Sequence, residues 1–208
     1  MNDVAHTAPS SEKRPQILAA ARRVFLREHY ACASMESIAQ EAGVSKQTVY
    51  NHFGCKEKLF RELVRESTRR LSLTFELDMT DLEASPEAVL TRIGQQILDI
   101  MLNEETMELH RLMHSEGRRS PQTANEFYSF GPNRIVTIIA EYLRIQVRAR
   151  RLELDNPRIA SEQFTTMLIG HLRLRRLLGI GPSPGADERR RYVKSAVRIF
   201  LDGARPRK

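Results

Sequence analysis

Apolar residues return every three to four positions along almost the whole chain, the spacing that lines one face of an α-helix. The first run carries Ile17, Leu18, Ala21, Val24 and Phe25, and Pro15 is expected in its opening turn. Two short runs follow, with Ile38 and Ala39 in one and Val44 and Val49 bearing on the other, and then a long stripe of Leu59, Phe60, Leu63, Val64, Leu71 and Phe75. Residues 86–103 show Val89, Ile93, Ile97, Ile100 and Met101, and residues 104–119 show Met107, Leu109, Leu112 and Met113. Residues 121–151 read as one helical stretch interrupted at Gly131-Pro132, where proline removes a backbone donor. A helix from Asn156-Pro157 to about Leu178 and a last one over 187–202 complete the series. No alternation of period two survives, so the predicted class is all-α with about nine helices.

The punctuation between these runs is most specific over Ser34 to Lys58. Ser34 and Ser45 each precede a short amphipathic run and can cap it through the hydroxyl, and Gly43 provides the permissive backbone of a tight interhelical turn. Helices over Met35–Ala42 and Lys46–Phe53 joined at Gly43-Val44 make a helix-turn-helix. The expected organisation is a flexible tail over 1–11, a three-helix helix-turn-helix domain over 12–58 and a larger helical domain over 59–208. The acidic segment Asp78 to Glu87 reads as a connection, with Ser85-Pro86 starting the next helix.

The side chains left outside on the second short helix are amides, hydroxyls, rings and one ammonium, without a carboxylate. That set suits a DNA major groove, which admits the second helix of such a unit while the first crosses the backbone. Gln47 and Asn51 can pair with adenine, Lys46 can reach guanine and the Thr48 methyl can meet a thymine methyl. Tyr50, His52, Ser34 and Lys56 suit phosphates by type, which position a protein without reading sequence. From spacing alone, a plain helical hairpin is an equal alternative.

Charge agrees with a polyanionic partner: the formal net charge is +7. Apolar residues make up 41% of the chain and charged ones 28%, as in ordinary globular proteins. No apolar run approaches the ~20 residues of a membrane span and the N-terminus has no signal-peptide core, so no membrane association and a cytoplasmic location are expected. Catalytic residues are not expected, since no G-x-S-x-G, phosphate-cradling glycine loop or H-E-x-x-H is present. His110 and His114 have metal-clamping spacing without a firm third ligand, so neither metal nor cofactor is expected. Cys32 and Cys55 flank the helix-turn-helix; reduced thiols are the plain expectation and a redox switch the sharper one.

The run SMESIAQEAGVSKQTVYNHFGCKEKLF, preceded by a helix ending VFLREHY, resembles the N-terminal domain of the TetR (tetracycline-repressor-like) family of bacterial transcription regulators over about residues 12–65. By position, the resemblance implies DNA contacts at Ser34, Ser45, Gln47, Thr48, Tyr50, His52 and Lys56, with Lys46 and Asn51 at variable positions. Two residues depart from the family pattern: Cys55 stands where a helix-capping serine is usual, and His29 where a glycine is frequent. Residues of about 110–170 resemble the effector domain of the AefR-like subgroup. That implies a four-helix bundle formed by the last two helices of each of two subunits, and a ligand cavity enclosed by earlier helices.

A homodimer also follows from the size of the target. One recognition helix reads too few bases, so two are set ~34 Å apart on a pseudopalindrome. The stripes Phe164, Met167, Leu168, His171, Leu172 and Tyr192, Val193, Ala196, Val197, Phe200 are the expected isologous interface, the alternative being that they pack within their own subunit. Phe75, Ile97, Met101, Met113, Phe127, Tyr128 and Phe130 are the expected pocket wall for an apolar or amphipathic effector, each also readable as plain core. The expected function is a one-component transcriptional regulator, a repressor released from its double-stranded DNA operator by a small molecule. The alternative is a ligand-independent or sequence-indifferent DNA-binding protein using the arginine runs 148–151, 173–176 and 189–191.

Overall fold

A computed structural model describes residues 10–72 and 82–204. The expected tail up to residue 9, the 78–81 part of the acidic connection and Phe75 lie outside the described residues. Ten helices and no strand occur among the described residues: α1 Ser10–Cys32, α2 Met35–Glu41, α3 Lys46–Phe53, α4 Lys56–Ser72, α5 Pro86–Leu102, α6 Glu104–Glu116, α7 Pro121–Phe130, α8 Pro132–Arg148, α9 Pro157–Leu177 and α10 Ala186–Ala204. The all-α class holds, and the interrupted stretch 121–151 becomes the separate helices α7 and α8. Helix α1 starts at Ser10 rather than near Pro15, which lies inside it. So close to a helix start, proline forfeits little more than its own amide bond.

The contacts divide the chain into two compact units, and the division does not follow sequence order. One unit is Met1–Ser67 with Leu112–Asn125; the other is Thr68–Arg111 with Glu126–Lys208. The chain passes between them inside α4, α6 and α7.

In the first unit α1 packs on α2, and α2 on α3. Ile17, Val24, Phe25, Ile38, Val49, Leu59, Phe60 and Val64 are buried together with Leu112 and Met113. Phe25, Tyr30 and Phe60 form a ring cluster, with centroids 4.7 to 5.6 Å apart, that joins the end of α1 to α4. Arg14 ties the start of α1 to α4 through Glu62 at 2.7 Å and lies over the Phe53 ring. Arg14 is thus engaged in holding α1, α3 and α4 together.

In the second unit α5, α9 and α10 pack mutually, and α8 packs on α9. Gly94 on α5 permits this approach: a Cβ there would stand 2.8 Å from Val193 Cγ1 and 3.4 Å from Leu168 Cδ2. The Ser161 hydroxyl, fully buried, donates to the Val136 carbonyl at 2.8 Å and fastens α9 to α8. The rings of Phe164 and Phe200 meet at 5.0 Å.

This packing covers most of the expected dimer stripes within the subunit. Phe164, Leu168, Leu172, Val193, Ala196, Val197 and Phe200 are buried within their own subunit, while Met167 and Tyr192 are half-buried. Of the residues expected at the interface, His171 alone is exposed. An apolar stripe reports that a helix face is covered, and does not report by which chain.

Candidate functional site

Local capping builds the helix-turn-helix. The Ser34 hydroxyl accepts from the Ser37 amide at 3.0 Å while the Ser37 hydroxyl accepts from the Ser34 amide at 3.1 Å, a reciprocal capping box at the start of α2. The Ser45 hydroxyl accepts from the Thr48 amide at 3.1 Å at the start of α3. Between them Gly43 takes φ +62°, a conformation side chains resist, and lets Val44 N–H reach back to the Ala39 carbonyl at 3.0 Å. Val49 and Phe53 are buried, which orients the rest of α3 outward.

Ser45, Lys46, Gln47, Tyr50 and Asn51 are exposed, and Thr48 and His52 half-buried, on one side of α3. The Gln47 amide donates to the Asn51 carboxamide oxygen at 2.8 Å, one turn further on. Lys13 of α1 borders the same open surface groove as Thr48, Asn51 and His52. A carboxylate does approach this face, although none stands on α3: Glu36 of α2 accepts from Lys46 Nζ at 3.1 Å and raises the pKa of that ammonium. The crossing of α2 and α3 creates this pairing, and linear spacing gave no sign of it.

Lys56 is placed differently from its expected role. Its Nζ donates to the carbonyls of Tyr30 at 2.9 Å and Ala33 at 2.8 Å, and lies 4.7 Å from the centre of the Tyr30 ring. The ammonium thus satisfies orphan carbonyls at the end of α1, where the helix dipole favours a cation. Just before them His29, which is exposed, adopts φ 62° and ψ 151°, a region suited to glycine. Cys32 is exposed and Cys55 half-buried, both as free thiols.

The second unit holds a small apolar cavity lined by residues of α4, α5, α6, α7 and α8, among them Met101 and Phe127 of the expected pocket. The other expected wall residues sit elsewhere. Ile97 belongs to the α5 core, Met113 is buried in the first unit, and Tyr128 and Phe130 are 54% and 52% exposed. Neighbouring positions on a helix point about 100° apart, so an aromatic cluster along α7 cannot all face one cavity. Thr68, Thr106 and His110 also line this cavity. Their polarity sets them apart from the apolar pattern that points to a pocket wall in the sequence.

A capped helix-turn-helix with a polar outward helix, followed by a larger helical unit, defines a DNA-binding regulator. Comparison with known proteins agrees: residues 17–63 match the bacterial regulatory proteins of the tetR family, and residues 88–203 match the AefR-like transcriptional repressor C-terminal domain. The chain belongs to the TetR family of transcriptional regulators, with an AefR-like C-terminal domain, and is not an enzyme. It is 40% identical over 63 residues to the transcriptional activator FasR of Mycolicibacterium smegmatis, covering 30% of this chain and 29% of that protein. It is 39% identical over 61 residues to the transcriptional repressor AcnR of Corynebacterium efficiens, covering 29% and 32%. The matched stretch thus spans about a third or less of the length of these two relatives. Among solved structures, the flavonoid-responsive regulator FrrA superposes with a TM-score of 0.80 at 29% identity, covering 95% of this chain and 100% of that one. A TetR-family regulator from Mesorhizobium loti gives 0.78 at 25% identity, covering 96% and 100%. No described helix is long and apolar enough to cross a membrane.

Proposed function

We propose that this regulator binds a pseudopalindromic operator as a homodimer and represses transcription until a small apolar or amphipathic molecule occupies its second unit. The observation that carries the reading is the outward face of α3, where Lys46, Gln47, Tyr50 and Asn51 are exposed, Thr48, Asn51 and His52 share a groove with Lys13, and the Gln47 and Asn51 amides are already joined. Gln47 and Asn51 read adenine edges, Lys46 reaches guanine, and Ser34, Ser45, Tyr50 and His52 hold phosphates. Lys56 supports this surface from behind by fixing the end of α1.

Dimerisation is supported by apolar side chains left on the outer faces of the last two helices. Ile159, Leu174 and Leu178 of the α9 region and Ile199 of α10 are each at least half exposed. They replace the buried stripes as the proposed isologous contact. Repression is the proposed direction because the matched C-terminal domain is described as a repressor's, although one relative is an activator.

Selection of random duplexes by the purified protein, followed by competition with excess random DNA, tests the reading. A two-fold symmetric site retained by a dimer against that excess is expected. Uniform loss of binding to the competitor would leave a sequence-indifferent DNA-binding protein.

A further inference from the structure

We propose that the cavity of the second unit takes a small, uncharged, mainly apolar molecule carrying a hydroxyl or carbonyl oxygen, and that Thr68 and Thr106 are its hydrogen-bonding partners. This rests on the effector reading above and specifies the chemistry of that site. The wall is apolar over Leu71, Ile100, Met101, Leu109, Phe127 and Ile135, and no Asp, Glu, Lys or Arg lines it among the described residues. An ion entering it would lose its water without gaining a counter-charge from such a side chain.

Two hydroxyls interrupt this surface. Thr68 and Thr106 are 5% and 3% exposed, both line the cavity, and neither Oγ1 has a hydrogen-bond partner among the described residues. A buried hydroxyl without a partner is costly, whereas valine fills the same volume free of that cost. Two such groups on one cavity are a recognition device waiting for an oxygen or nitrogen. His110, packed edge-on against Phe127 at 5.2 Å, is the third polar group of the wall.

The cavity is closed down to about 20 Å³, room for one water. The joint between α7 and α8 is tightly packed at this wall: a Cβ on Gly131 would stand 2.9 Å from the Phe127 carbonyl oxygen and 3.1 Å from Thr68 Cγ2. A ligand larger than one water therefore requires this wall to open. It favours the opened conformation by the difference in its affinity for the two states.

The test is calorimetry on the purified full-length protein without DNA, using 2-naphthol, naphthalene and 2-naphthoate as probes. 2-Naphthol is expected to bind roughly ten-fold more tightly than naphthalene, and 2-naphthoate more weakly than either. In T68V/T106V the advantage of naphthol should collapse and the unliganded protein should melt higher, while T68S/T106S keeps the advantage. Equal binding of naphthol and naphthalene, tightest binding of naphthoate, or no binding of naphthol up to its solubility overturns the proposal. So does a valine double variant that melts lower or fails to fold, because the hydroxyls then hold the structure. Operator affinity is measured separately: naphthol that binds without loosening DNA sinks the release mechanism and leaves this site standing.

Discussion

The Gln47 side-chain amide donates to the Asn51 carboxamide oxygen at 2.8 Å across one turn of α3. The bond orients both amides and leaves the Gln47 oxygen, the Asn51 NH2 and the second lone pair of the Asn51 oxygen to meet base edges. Two groups proposed to read bases are thereby aimed before DNA arrives.

Their contributions are therefore expected to be coupled. Gln47→Ala and Asn51→Ala should each relax base preference at one or two positions at a cost of about 1–3 kcal/mol. The double variant should lose less than the sum, since each single change already frees the other side chain. Operator titrations of the four proteins close this cycle, and strict additivity would mean that the amides act independently.

Glu36 holds the Lys46 ammonium that is proposed to reach guanine, so the two partners would compete for it. The pair is exposed, so its removal shifts affinity rather than stability. Glu36→Gln should raise DNA affinity roughly two- to five-fold at low salt, and the gain should fade as ionic strength rises. A salt series comparing the two proteins measures it; unchanged or weaker binding at low salt would remove Glu36 from the account.

Lys56 separates anchoring of DNA from anchoring of the protein. Its ammonium is bonded to the Tyr30 and Ala33 carbonyls. Lys56→Met should therefore destabilise the protein by about 2 kcal/mol, because buried or half-buried carbonyls lose a charged donor. The salt dependence of DNA binding should stay nearly as it was. Denaturant unfolding with unchanged stability, together with a shallower salt slope, would return Lys56 to the phosphates.

His29 stores strain next to those carbonyls. A side chain at φ 62°, ψ 151° costs about 1–3 kcal/mol, while glycine there carries only its unfolded-state entropy of roughly 1 kcal/mol. His29→Gly is thus expected to stabilise the protein by about 1 kcal/mol, and His29→Ala to have little effect. Thermal melts of the three proteins decide; a destabilised glycine variant would show that His29 makes a contact worth more than its strain.

The helices themselves were legible because apolar spacing and capping serines act over one or two turns. Met35, Lys46 and Phe53 bound α2 and α3 where the sequence placed those boundaries, and the outward face of α3 followed from the burial of Val49 and Phe53. The setting of Lys56 was not legible, because an ammonium by type suits phosphate and carbonyl equally. Only the ring of Tyr30 and the carbonyls around it, 23 to 26 residues earlier in the chain, distinguish the two.

Periodicity in the sequence thus determined the all-helical class, the helix-turn-helix and which side of each helix is covered, since these depend on neighbours within a few residues. Tertiary structure alone decided what does the covering. It turned Phe164 and Phe200 inward to each other, brought Glu36 to Lys46, and gathered Thr68 and Thr106 around one cavity. Those pairings join positions from 10 to 38 residues apart, where helix crossing and not local spacing sets the distance.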